Sequence, residues 1–148
     1  MRDLQLETQL RLLTLFVESW KKLHDFITYA LDRAKPIISA DQERQFTESR
    51  ATLLQEAEHV FTQANLLTEL SGKAMNVLQR AVSLRSVREL SSEDIRRLET
   101  DWNFVFTKVH LMQGQLKSRR KELIERNALV HALKQLITRK PATAAASR

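Results

Sequence analysis

"AEHVFTQANLLTELSGKAMNVLQRAVSLR", residues 57–85, decides how many helices this chain of 148 residues builds. Ala57, Val60, Ala64, Leu67, Ser71, Ala74, Leu78 and Ala81 advance by alternating threes and fours, the period of one helix face. Traced outward, the same row starts at Phe46, passes Arg50 and Leu53, and ends at Arg85. It crosses Gly72 without a slip. A glycine in mid-helix costs about 1 kcal/mol relative to alanine, which permits a bend, but two independent helices have no reason to share a register. The spacing therefore predicts one helix over about 40–88, opened by Ser39 and Gln42 in the arrangement of a capping box.

The flanking segments show the same periodicity. Leu6, Leu10, Leu13, Val17, Trp20, His24, Ile27, Leu31 and Ala34 mark a first helix over about 4–35. It should stop near Lys35, because Pro36 disfavours helical geometry in the residue before it. In "ELSSEDIRRL", Ser91 or Ser92 can cap a third helix, with Glu93 and Asp94 in its positively polarised first turn. Its row runs Ile95, Leu98, Trp102, Val105, Val109, Met112, Leu116, Arg119, Leu123, Arg126, Val130, Leu133, Ile137, predicting a helix over about 92–139. "PATAAASR", residues 141–148, has nothing to bury and reads as a disordered tail. Short connections make neighbouring helices antiparallel. The expected fold is all-α: an elongated antiparallel three-helix bundle or coiled coil over residues 1–140.

A content of 43% apolar and 28% charged residues describes one folded, soluble domain. The chain has no cysteine, which removes disulfides, thiolate metal sites and cysteine nucleophiles. Its first residues lack the apolar run of a signal peptide, and no stretch reaches the roughly 18 apolar residues of a membrane span; a cytoplasmic location is expected. Charge is uneven: residues 36–70 carry two cations and six anions, residues 96–140 eleven cations and four anions. In the antiparallel register Glu48, Glu56 and Glu58 should face Arg119, Arg120 and Arg126. The basic run of Lys117, Arg119, Arg120, Lys121 and Arg126 then serves mainly internal pairing, with partner binding secondary. Nucleic-acid binding keeps only this run and the net charge of +6, a weak signal without a recognised module.

Three segments, "FVESWKKLHDFI" with Trp20, "DIRRLETDWNFV" with Trp102, and the basic, leucine-spaced "LKSRRKELIE", resemble a spectrin repeat over about residues 4–126. The stretch between the tryptophans is longer than usual in that family, and the third helix runs beyond the repeat. The resemblance implies a cytoskeletal or scaffolding module that binds other proteins and performs no catalysis.

Chemistry is sparse. His24 lies on a seam and reads as a packed core residue, as do Trp20 and Trp102. "EAEH" sets Glu56 and His59 at the Glu-x-x-His spacing of di-iron bundles, but no second pair exists, so no metal and no cofactor are expected. No phosphate loop or nucleophile arrangement can be identified. The expected function is a non-enzymatic scaffold or protein–protein interaction module; the alternatives are a basic helical binder of nucleic acid or an acidic surface, and a small assembly or secretion chaperone. Unequal helix lengths leave residues 73–108 as a projecting hairpin with too many large apolar groups for water. A homodimer through Met75, Leu78, Val82, Phe104 and Phe106 is the favoured solution, and a fold back at Gly72 and Gly114 the other.

Overall fold

A computed structural model describes the backbone of residues 2–63 and 68–146 and the surroundings of side chains 4–62 and 69–138. All regular structure among the described residues is helical: α1 (Arg2–Leu31), α2 (Ala40–Gln63), α3 (Thr68–Arg80), α4 (Leu84–Arg88) and α5 (Ser92–Ala146).

Polar side chains set several of the helix boundaries. The α1 helix stops at Leu31, four residues before the expected end, because Asp32 turns its carboxylate back to accept the Ala34 N–H at 3.0 Å. Arg88 then donates to the carbonyl of Ala30 (2.8 Å), an acceptor that the helix C-terminus leaves open, and to that of Pro36 (3.3 Å) in the following loop. At α2 the capping box forms: Gln42 N–H donates to Ser39 Oγ at 3.1 Å, and Ser39 N–H to Gln42 Oε1 at 2.8 Å. Ser83 and Ser86 make a second box at α4, whose first amides also donate to the Glu43 carboxylate. Ser91 caps α5 through the Asp94 N–H.

The expected helix over 40–88 is instead three helices. The chain leaves α2 at Gln63, resumes at Thr68 and runs back along α2. Arg50 donates to Leu78 O through Nε (3.1 Å) and Nη2 (2.8 Å), and Leu54, Ala57 and Phe61 share a groove with Ser71 and Met75. The reversal buries Leu70, Ala74, Val77, Leu78, Leu84 and Val87, which a straight helix would leave in water. The heptad row could not register it. A row reports which face is buried, and its only two positions between the helices, Ala64 and Leu67, lie outside the described residues. Gly72 is no hinge: it lies inside α3, and Gly114 inside α5. Nor does α5 stop at about 139. Its backbone continues through Pro141 to Ala146, a stretch rich in alanine, the best helix former.

The result is an up-down-up-down array of α1, α2, α3 and α5. Phe26 meets Phe46 and Phe16 meets Phe61 across α1 and α2. His24 meets Glu99 and Thr14 meets Gln113 across α1 and α5, and Lys73 and Arg80 of α3 reach Asp101 of α5. Around the axis the order is α2, α1, α5, α3, so α2 packs on α1 and α3. The expected pairing of Glu48, Glu56 and Glu58 with the basic run is consequently absent among the described residues. Arg120 instead lies 3.5 Å from Glu7 of α1.

One apolar core joins the four helices and α4. At its centre Trp20 and Trp102 are parallel to within 1°, with centroids 6.3 Å apart. Each indole N–H donates to the other residue's carbonyl, at 3.1 and 3.0 Å. Two large rings thereby bury their polar edges without an unpaired donor.

Candidate interaction surface

The lower end of the array is stepped, because its helices differ in length. Near Gln63 the α2–α3 pair ends opposite the middle of α1, leaving α1 and α5 as two helices. Gln5, Leu6 and Gln9 of α1 line a groove of about 570 Å³ with Arg119, Glu122, Leu123 and Arg126 of α5. Past Arg126, α1 has ended and α5 continues alone for about 30 Å.

This lone stretch is not built as a solvated helix. Leu129, Val130, Leu133, Leu136 and Ile137 are exposed, Ile137 at 72% and Leu136 at 63%, as is Ile124 at 61%. Higher on the same helix Leu98, Val105 and Val109 are wholly buried. The projecting part thus carries a core-like composition without a core. Val130, Leu133 and Ile137 lie on the row read from sequence; Leu129 and Leu136 lie beside it. Together they widen the apolar face beyond the narrow seam of a two-stranded coiled coil.

The charge is concentrated in the same place. Residues 117–140 carry eight lysines and arginines against two glutamates, whereas residues 1–116 carry fifteen cations against sixteen anions. Almost all the net charge of the chain sits at and beyond the step. Lys117, Arg119, Lys121 and Arg126 are exposed and form no ion pair among the described residues, while Arg120 is half-buried beside Glu7.

The remaining candidate residues lie elsewhere. Trp20 and Trp102 are core, and His24, half-buried, lies against Trp102 with ring centroids 4.1 Å apart and planes tilted by 34°, its Nε2 3.0 Å from Glu99. His59 is exposed and Glu56 half-buried. Among the described residues no group of three or more histidine or acidic side chains is placed to hold a metal ion. The residues assigned to a dimer contact part company: Leu78 is wholly buried inside the chain, Phe104 and Phe106 pack at the edge of the core, and only Met75 and Val82 are exposed. The fold-back of α3 onto α5 supplies the cover for which a second chain was invoked. Among the described residues no helix is long and apolar enough to cross a membrane.

The surface defines an all-α protein with a projecting amphipathic, basic helix. Comparison with protein-family models, with curated proteins and with solved structures finds no match.

Proposed function

We propose that this chain is a non-enzymatic helical interaction module in which the array anchors α5 and the projecting end of α5 binds another protein. The observation that carries the reading is the row of exposed Leu129, Val130, Leu133, Leu136 and Ile137 on one helix. A contiguous apolar surface of this kind is costly in water and is a recurrent mark of an interaction site. A scaffolding role of spectrin-repeat-like build draws its support from the segments around Trp20 and Trp102, which meet across α1 and α5.

Substituting Leu129, Leu133 and Ile137 by serine tests the proposal, because these side chains contribute nothing to the core. Wild type and the triple variant should melt alike. In quantitative crosslinking from native lysate, proteins retained by wild type should be lost with the variant. Recovery of the same proteins with both would overturn the reading. A second reading, a binder of nucleic acid or another polyanion, draws on the charge gathered at 117–140. It requires a steep loss of affinity with added salt, as released counterions dictate, and little response to the three serines.

A further inference from the structure

The partner's chemistry can be read from how α5 is already covered higher up. An α-helix repeats its direction about every eighteen residues, five turns of 3.6. Arg119 and Ile137 therefore stand on the same side of α5 as Asp101; Arg126 stands below Lys108, and Leu129 below Leu111. At Asp101 that side is occupied by α3. Lys73 Nζ lies 3.4 Å from the Asp101 carboxylate and Arg80 Nη1 3.0 Å from it, and Lys73 also lies over the Phe104 ring. A helix covers this side above, and its bases match the acid on α5. Below α3 the side continues, uncovered: Arg119 stands where Asp101 stood, Arg126 keeps the base of Lys108, and Glu122 is the one acid that lines the groove with them, among exposed aliphatic side chains.

We infer that the lower step receives an acidic amphipathic α-helix of another protein, seated in the α1–α5 groove beneath α3 with its carboxylates toward Arg119 and Arg126 and its apolar face on Leu129, Leu133 and Ile137. The inference rests on the proposed interaction surface and adds the partner's form and charge. Two other occupants fit worse. A flat anionic bilayer would meet α3 first, since that helix stands about 10 Å proud on this side. A second copy of α5 would bring eight cations against eight, with two acids on each chain, and the like charges would repel.

The test uses the whole protein and two synthetic amphipathic helices of equal length, sharing one leucine stripe and flanked by glutamate or by lysine. Titration calorimetry at physiological salt should show the glutamate helix binding roughly tenfold more tightly than the lysine helix, the scale of two partly screened ion pairs. The double variant Arg119→Glu, Arg126→Glu should invert that preference. Leu133→Asn with Ile137→Asn should abolish binding of both helices, with the circular dichroism of the bundle unchanged. Equal affinity for the two helices, lost in the asparagine variant, would overturn the acidic partner and leave the interaction surface standing. Binding indifferent to the asparagine variant would overturn both. Capture by phosphatidylserine vesicles in place of either helix, or a concentration-dependent dimer abolished by the asparagine variant, would assign the surface to lipid or to a second copy and overturn the inference. Failure of the glutamate helix to bind would overturn it too.

Discussion

Trp20 and Trp102 support each other through a parallel stack and two reciprocal hydrogen bonds. Truncating either to alanine removes a ring from a close-packed core and takes the indole donor away from its partner's carbonyl, so each variant should lose about 3–5 kcal/mol in denaturant unfolding. Phenylalanine at either site keeps an aromatic ring but not the donor, and should cost less than alanine. Because each substitution damages the same contact, the double alanine variant should fall short of the sum of the singles by about 0.5–3 kcal/mol. Additive losses would show that the two rings are independent. The row pattern placed both indoles inside from sequence. Their mutual hydrogen bonding was not legible there, since it needs the relative height of α1 and α5, which no local pattern encodes.

At the scale of elements, the positions that looked like hinges are ordinary helix interior. An added Cβ at Gly72 or Gly114 meets no heavy atom within 4 Å, so alanine at either should stabilise the protein by about 0.5–1 kcal/mol, seen as a raised urea midpoint. Destabilisation by alanine would mean that the glycine is needed for a bend. The chain instead folds back between α2 and α3, and two cysteines can test it because the native chain has none. In a continuous helix Leu54 and Met75 would be about 30 Å apart; in the folded-back pair they line one groove. A short bis-maleimide reagent should therefore crosslink Leu54→Cys with Met75→Cys within one chain in high yield, and failure would restore the single helix. The caps at Ser39 and Ser91 were legible in sequence because capping is local. The arginine clamps were not: Arg50 on Leu78 O and Arg88 on Ala30 O join residues 28 and 58 positions apart.

At the scale of the molecule, the four-helix array and the projecting end of α5 are energetically separate. Residues 127–146 lie past the start of α1, and the side chains of 127–138 are all exposed. Deleting 127–148 should leave the thermal midpoint within about 0.5 kcal/mol equivalent of wild type, the usual range for surface changes, while removing the exposed aliphatic surface that binds an apolar dye. A large drop in midpoint would show that the projecting helix folds back onto the array.

Helical periodicity, caps and the absence of cysteine are local properties, and from them the sequence alone determined an all-α protein, the burial of Trp20 and Trp102, and long helices beginning near 40 and 92. Tertiary structure decided the rest. Whether a row of apolar residues is one helix or two depends on what covers it: residues 70–87 fold back because α3 packs on α5 and α2, and α4 on α1 and α2, burying Val77, Leu78 and Leu84 as no straight continuation could. The same competition settles the candidate surface. Val105 and Val130 occupy one row and look alike in sequence, yet the first is buried and the second exposed, because only the lengths and stacking of α1, α2 and α3 determine where α5 runs out of neighbours.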